Sequence, residues 1–368
     1  MKKLFSPPTT HLTYWGLCLM ASTPVYSSEA DFARCAQQFA QQAEARLQCY
    51  DQISIAASSA SAAPVVPTTP PDTSAPAPLP KVDEESASPS TRSYLTRVWN
   101  LDDLNSLDES KLGRLRPHRQ NYLILRKSSN TNNLPSTPTA GHTALTPIDM
   151  DALEAKFLLS FKADIGSQSD IDIWGFKTFR VWGAYTQQSN WQIFNGRNSS
   201  PFRETNYEPE VIATFGTQKD NGLKLVNVGF AHQSNGNTLP LSRSWNRLYV
   251  QGGWEFNNST SILARGWWRL PEKTLSDDNP NLTSYVGLGD VVVRWEPMTK
   301  LQAVSLLWRN NFRIGSNRNF MQLDWSTPVA FGDAARMYVQ LTSGYGESLI
   351  DYNHKQTTLG FGFSFREW

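Results

Sequence analysis

Residues 224–234, KLVNVGFAHQS, alternate between apolar and small or polar side chains, as a half-buried β-strand should. His232 and Ser234 continue the apolar face at the end of this stretch. Same-face neighbours on a strand lie about 7 Å apart at Cα. An imidazole at that spacing can take a proton from a serine hydroxyl during nucleophilic attack. The stretch therefore predicts a strand whose apolar face ends in a nucleophile and its base.

The residues that follow predict an antiparallel partner for this strand. If 223–234 and 244–256 pair as a hairpin, residues 235–243 form the connecting loop. Asn246 then returns beside His232 on the adjacent strand, on the same apolar face. Its side-chain oxygen could accept the other imidazole N–H and fix the tautomer of the ring.

The chemistry of this trio suits an apolar environment. An uncharged Asn246 costs less to desolvate than a carboxylate would. The backbone N–H of Gly236, two residues after Ser234, has no side chain in front of it and could bind a developing oxyanion. Taken singly, these are ordinary strand-end, cap and turn residues. Their joint placement is what predicts a catalytic site.

Outward from this hairpin the same alternation recurs from about residue 120 to the C-terminus. The sequence predicts an all-β fold, a twelve-stranded antiparallel transmembrane β-barrel, with a soluble β-sandwich as the alternative. Alternating Phe361, Phe363 and Phe365 near the C-terminus, followed by Trp368, favour the barrel. The predicted strands are 119–127, 153–164, 177–189, 205–217, 223–234, 244–256, 260–270, 283–297, 301–312, 317–327, 335–344 and 355–366.

Composition narrows the class of protein. The net charge of +1 gives no electrostatic case for nucleic-acid binding. The chain is 12% aromatic with 13 Trp, yet its mean hydropathy is −0.44 and it has no run of about 18 apolar residues. These values argue against helical membrane spans, whereas barrel strands need only alternation.

The N-terminal quarter of the chain predicts an exported protein with a disordered and helical extension. Residues 1–27 resemble a signal peptide, with early lysines and small residues before a cleavage site after Ser27. Residues 28–55 form a small helical segment in which Cys35 and Cys49 can pair as a disulfide in an oxidising compartment. Residues 56–93 are an Ala/Ser/Pro-rich linker, and the barrel occupies 94–368.

Several long strings are similar to the bacterial outer-membrane phospholipase A family. They are HQSNG at 232–236, SRSWNRLY at 242–249, SSPFRETNYEP at 199–209, DDNP at 277–280 and SGYGESLIDYN at 343–353. The resemblance covers roughly residues 94–368. It implies a twelve-stranded barrel in the outer membrane, active as a homodimer, that hydrolyses acyl esters of phospholipids and depends on calcium.

The resemblance also implies roles for individual residues. Ser234 would be the nucleophile, His232 the base and Asn246 its orienting partner. Ser242, the carbonyl of Asn237 and Ser199 from the second subunit would hold Ca²⁺, and Asp278 would belong to a second calcium site. Gln187, on the apolar face of its strand, would pair at the dimer interface. Oxygen donors of these kinds suit a hard cation.

Two competing hypotheses remain open at this point. A non-catalytic outer-membrane barrel, a pore or a structural protein, would share the strand pattern. Large inward Arg, Trp and Glu side chains would, however, plug a barrel of only twelve strands. A soluble secreted esterase would leave the many apolar strand faces unexplained.

Overall fold

The computed structural model describes residues 92–101, 115–257, 259–273, 277–297, 299, 301–329 and 332–365, with six further positions between 37 and 49. The predicted signal peptide, the linker and Cys35 lie outside these residues, as does Trp368. Cys49 is disulfide-bonded. The barrel lies in the unit that spans residues 82–368. Among the described residues, no helix is long and apolar enough to cross a membrane.

Thirteen strands form one antiparallel sheet in the described part of the chain. The first strand is a three-residue segment beside the third, and the other twelve close into a barrel because the last strand pairs with the second. The predicted twelve-stranded barrel is confirmed. The strands are β1 (Leu115–Pro117), β2 (Tyr122–Ser128), β3 (Leu153–Ile173), β4 (Phe176–Trp191), β5 (Phe202–Gly216), β6 (Gly222–Ser234), β7 (Ser244–Phe256), β8 (Thr260–Arg269), β9 (Gly289–Trp295), β10 (Ala303–Asn310), β11 (Asn319–Val329), β12 (Gly332–Tyr345) and β13 (Lys355–Phe365).

One predicted strand is wrong at its start. Residues 283–297 were expected to be extended, but Thr283–Val286 forms a short helix, α2, and the strand begins only at Gly289. The Val286 N–H donates to the carbonyl of Leu282, and Asn311 Nδ2 donates to the Ser284 carbonyl. The backbone groups of residues 283–286 therefore find hydrogen-bond partners within the helix and in the neighbouring loop, without pairing in the sheet.

The barrel wall has apolar side chains outside and polar side chains inside. Outward residues on β13, such as Phe361 and Phe363, are more than half exposed, whereas the inward Thr358 and Ser364 are buried. The same arrangement, with apolar side chains outside, holds on β7, where Leu248 and Val250 face outward. A soluble protein would show the opposite arrangement, so this wall is the membrane-facing surface of a barrel.

Ion pairs cross the barrel interior. Arg119 contacts Glu208 at 2.6 Å and Glu210 at 3.0 Å. Arg247, on β7, also pairs with Glu208. Arg265 contacts Asp290 at 2.6 Å in the same layer. All of these side chains are paired, and all except the partly exposed Arg119 are largely buried, as charges in a low-dielectric interior must be. Long side chains thus obstruct the lumen, as the sequence predicts, and a cavity of about 290 Å³ remains between them.

A helix fills one end of the lumen. The end of the barrel that carries the short turns, such as 174–175 and 217–221, is called the turn end here, and the opposite end, with loops 129–152, 235–243 and 270–288, is called the loop end. Helix α1 (Tyr94–Trp99) packs inside the turn end. The Leu95 N–H donates to Glu255 at 2.6 Å, and Lys162 Nζ lies 3.4 Å from the centre of the Trp99 ring. From the sequence, residues 94–99 are assigned to the barrel domain, and no helix is predicted there.

A buried charge cluster holds the 346–354 loop on the loop end. Glu347 contacts Arg126 at 2.5 Å and Lys156 at 2.9 Å, and each of these side chains is nearly inaccessible. Burial opposes ionisation of Glu347, but the two cations outweigh it and lower the pKa of Glu347 to about 2. The carboxylate is therefore charged over the whole neutral range, and its pairing contributes to stability.

We expect Glu347→Gln to lower the free energy of unfolding by about 3 kcal/mol, because it leaves the buried Lys156 without its carboxylate and leaves Arg126 with Glu154 alone. Asp149→Asn is the control, since Asp149 pairs with Arg197 at an exposed site and should cost less than about 1 kcal/mol. Denaturant unfolding in detergent micelles, followed by Trp fluorescence, measures both.

The same pair predicts a pH dependence. The pKa of Glu347 is lower in the folded state than in the unfolded state, so its contribution is present above about pH 4.5 and is lost as the pH falls toward about 2. Glu347→Gln should remove this part of the acid sensitivity. An equal loss of stability between pH 5 and pH 2 in the variant and the parent would contradict the assignment.

Candidate active site

The β6–β7 hairpin brings the predicted trio together at the loop end of the outer wall. His232 lies opposite Asn246 in the register, and Ser234 lies opposite Ser244. His232 Nδ1 donates to Asn246 Oδ1 at 2.8 Å. This hydrogen bond places the proton on Nδ1 and leaves Nε2 as the basic nitrogen.

Ser234 lies on the same outward face as His232, two positions further along β6. In the described part of the chain its hydroxyl makes no hydrogen bond within 3.5 Å, so the Ser234–His232 contact is not closed here. Catalytic hydrogen bonds commonly tighten only when substrate binds. Phe230 and Leu248 border the trio and are about 40% and 46% exposed, so acyl chains can approach from the membrane side.

Alternation along the strand separates the outward trio from the inward network. Gln233, between His232 and Ser234, points into the barrel, where its Oε1 accepts from Trp245 Nε1 at 2.9 Å and from Arg247 at 3.3 Å. The inward anchors hold β6 and β7 at a fixed register. The register in turn fixes which outward side chains meet.

Gly236 begins the 235–243 loop with a φ of +65°, a conformation that favours glycine. A Cβ on this residue would lie 3.1 Å from the Tyr207 ring. Among the described residues, no acceptor lies within hydrogen-bond distance of the Gly236 N–H. The loop itself is held by Asn235, whose Oδ1 accepts from the Arg243 N–H at 2.9 Å and whose Nδ2 donates to the Leu241 carbonyl at 2.8 Å.

The structure places two of the predicted metal ligands in contact with each other. Ser242 Oγ donates to Asp278 Oδ2 at 2.9 Å, and Ser244 Oγ donates to the same oxygen at 3.1 Å. The sequence assigned Ser242 and Asp278 to different sites. Asn237 lies in the same loop as Ser242, and its N–H donates to Asn235 Oδ1 at 3.3 Å.

The remaining predicted ligand belongs to another loop. Ser199 follows a 3₁₀ turn, Gly196–Asn198, has a positive φ of 59° and is exposed. It lies in the 192–201 loop and makes no contact with Ser242 or Asn237. Within the described residues, no three His, Cys, Asp or Glu side chains come together as a metal site. Among the described residues, only Ser242 and Asp278 of the four predicted ligands are hydrogen-bonded to each other.

Two residues that contact the predicted site residues, His142 and Glu272, were not predicted from the sequence. His142, in the 129–152 loop, lies 3.1 Å from Asp278 Oδ1, and its carbonyl accepts from Arg243 at 3.0 Å. Glu272 lies 3.5 Å from Asn246 Nδ2. Both come from loops on other strands, and no spacing in the sequence links them to the trio.

Gln187 occupies the outer wall near the trio. Its register neighbour on β5 is Tyr207, which in turn lies opposite Ser234. Tyr185 donates to Gln187 Oε1, and Gln187 Nε2 donates to Ser189, both at 3.2 Å. This is a polar group on an otherwise apolar surface.

The closed barrel has an apolar outer wall, a lumen occupied by polar side chains, and a His–Asn pair beside an outward serine. This combination defines the class as a membrane-embedded β-barrel hydrolase. The chain belongs to the phospholipase A1 family, whose model matches residues 95–365. It is 36% identical over 286 residues to a candidate phospholipase A1 of Neisseria meningitidis, covering 75% of this chain and 72% of that protein. It is 33% identical to phospholipase A1 of Escherichia coli K12, covering 67% of this chain and 80% of the relative.

Solved structures agree with this assignment. An outer-membrane phospholipase of Salmonella typhi, solved as a dimer with bound calcium, matches with a TM-score of 0.60 and 31% identity, over 74% of this chain and 97% of that one. An active-site asparagine-to-alanine mutant of outer-membrane phospholipase A from E. coli matches with a TM-score of 0.60 and 30% identity, over 76% and 99%. The fold and these relatives support a place in the bacterial outer membrane.

Proposed function

We propose that this chain is a calcium-dependent outer-membrane phospholipase A that hydrolyses acyl esters of phospholipids and lysophospholipids, of both A1 and A2 type, through Ser234, His232 and Asn246. The observation that carries the proposal is the 2.8 Å hydrogen bond between His232 and Asn246 on the membrane-facing wall, in line with Ser234. Membrane phospholipids are the substrate that such a surface meets.

The residues divide the chemistry among them. The Ser234 hydroxyl attacks the acyl carbonyl carbon, and its proton passes to His232 Nε2. Asn246 holds the imidazole through Nδ1 and keeps Nε2 facing the serine. The Gly236 N–H receives the oxyanion, since it has no other acceptor among the described residues. His232 then protonates the departing alcohol, and water releases the fatty acid from Ser234.

The donor atoms near the trio fit calcium. The Ser242 and Ser244 hydroxyls and the Asp278 carboxylate converge, and the Asn237 carbonyl lies in the adjoining loop. All are oxygen donors, which hard cations prefer. Bound calcium would supply positive charge that polarises the ester carbonyl.

We further propose that the active form is a homodimer with calcium at its interface. Ser199 is exposed and, among the described residues, is not hydrogen-bonded to Ser242, Asn237 or Asp278. Gln187 presents an amide on the wall beside the trio. The dimeric, calcium-bound structure of the S. typhi relative supports this arrangement. An enzyme embedded in its own substrate is then kept inactive as a monomer. The 28–93 extension would lie in the periplasm.

The alternative of a pore finds no support in the barrel interior. Paired Arg119, Glu208 and Arg247 side chains span the lumen, and α1 fills the turn end. A conducting barrel would need these groups to leave the channel.

The direct test of the proposed function is fatty-acid release from a detergent-dispersed phospholipid by the purified chain, with Ca²⁺ present. We expect release of acyl chains from both phospholipid and lysophospholipid. A folded barrel that releases no fatty acid from either would contradict the proposal.

Asn246→Ala should lower kcat by about 10- to 100-fold, because one hydrogen bond to the imidazolium is lost while nucleophile and base remain. The KM for dispersed phospholipid should change little. Asn227→Ala is the control, since Asn227 is an inward residue of β6 bonded to Thr214 at 2.7 Å. Equal loss of activity in both variants would show that Asn246 has no special role.

A further inference from the structure

The amide of Asn246 is engaged at both ends. Its Oδ1 accepts from His232 at 2.8 Å, and its Nδ2 faces the carboxylate of Glu272 at 3.5 Å. Because an ionised carboxylate can only accept, Glu272 orients the amide with Nδ2 toward itself, and Oδ1 then faces His232 and selects the tautomer with the proton on Nδ1. A flip of the Asn246 amide would place its NH₂ group against His232 Nδ1–H and its oxygen against the carboxylate.

The backbone brings Glu272 to this position. After β8 ends at Arg269, the Leu270 N–H donates to the Asn246 carbonyl at 2.8 Å. The chain therefore continues beside β7, and Glu272 follows two residues later. Its side chain is half-buried. The contact arises from strand pairing and not from a chance approach of two loop tips.

We infer that Glu272 is a positioning residue that acts through Asn246 to orient His232, an inference that rests on the proposed function. The carboxylate polarises the Asn246 amide, so that Oδ1 becomes a stronger acceptor for the imidazole N–H. Its negative charge also favours the imidazolium that forms as Ser234 loses its proton. Asn246, the neutral third member of the trio, is thereby supported electrostatically by the Glu272 carboxylate, which lies outside the strands of the apolar wall.

The surroundings of Glu272 are compatible with this role. Arg269, Asp277 and Asp278 are the charged groups around it. Partial burial raises the pKa of Glu272 above its ordinary value, and Arg269 opposes the shift. Reduced solvation strengthens the interaction of the ionised carboxylate with the amide. The contact resembles the outer partner that orients a metal-bound or catalytic histidine in other sites.

The test is a double-mutant cycle in the full-length chain with Ca²⁺ and detergent-dispersed phospholipid. We expect Glu272→Ala to lower kcat by about 5-fold at unchanged KM. Glu272→Gln keeps an oxygen acceptor at the same place and should retain about half of the parent kcat. In the Asn246→Ala background, Glu272→Ala should change kcat by less than about 1.5-fold, since the mediator is absent. Asp220→Asn, at an exposed turn on the turn end, controls for the change in charge.

Each other outcome overturns the inference. An unchanged kcat in Glu272→Ala, or an equal loss in both backgrounds, would show that Glu272 does not act through Asn246. A raised KM with unchanged kcat would mean that Glu272 contacts the substrate instead. Heat-dependent mobility of the barrel on gels checks folding of each variant. If the parent chain itself releases no fatty acid, the proposed function fails, which is a different result from a failure of the cycle.

Discussion

Ser234→Ala is expected to lower fatty-acid release from dispersed phospholipid by about 10⁴-fold or more, to the level of the uncatalysed reaction plus residual binding effects. The reason is that, in the part of the chain that the structure describes, no other hydroxyl lies beside His232 on the same face of β6. Ser244, its register neighbour on β7, donates to Asp278 at 3.1 Å and is held away from the imidazole. The methyl group removes the nucleophile and leaves the packing of the wall unchanged.

The control for this variant is another outward serine. Ser343 lies on the exposed face of β12, where it bonds to Thr357 at 3.0 Å. Ser343→Ala should retain full activity, and both variants should keep the heat-modifiable migration of a folded barrel on gels. Hydrolysis that persists in Ser234→Ala at more than a few per cent of the parent rate would remove Ser234 from the mechanism.

Chelation of calcium should abolish hydrolysis, with a loss of at least about 100-fold, the scale expected for removal of an oxyanion-stabilising group. Addition of Ca²⁺ should restore the rate. Mg²⁺ should restore it poorly, because it demands short, near-octahedral coordination that hydroxyls and a loop carbonyl do not supply. Crosslinked dimers should decrease on chelation, since the proposed shell is completed only between subunits.

Ser242→Ala separates this effect from a general loss of structure. The variant should need about 10-fold more Ca²⁺ for half-maximal rate, while Ser343→Ala should need the same concentration as the parent. A rate that is indifferent to EDTA would contradict calcium dependence. A chelation effect without any change in Ca²⁺ requirement in Ser242→Ala would place the ion elsewhere.

Much of the barrel was predictable from local pattern, because strand alternation has a period of two and one slip exposes every inward side chain. The 223–234 and 244–256 segments and the nine-residue loop between them were enough to place Asn246 beside His232, and the register agrees. Loop boundaries were less accurate. The Thr283–Val286 helix was read as a strand because its β-branched residues favour one.

Contacts between distant parts of the chain could not be predicted from single residues. Helix α1 contains Thr96 and Val98, which are weak helix formers, and it depends on contacts such as that of the Leu95 N–H with Glu255. Glu272 reaches Asn246 only because β8 pairs with β7. Each of these residues has an ordinary local role in the sequence. The sequence therefore contains no signal for these long-range contacts.

We propose above all that the Ser234 hydroxyl, on the outer wall of the barrel, is the nucleophile that attacks acyl esters. Covalent labelling of the calcium-loaded chain with a long-chain sulfonyl fluoride, followed by mass spectrometry of the digested protein, tests it most directly. We expect one label per active subunit, on the peptide that contains Ser234, and no label after chelation or in His232→Ala. Inactivation with the label on any other residue, or full inhibition without a label on Ser234, would contradict the account.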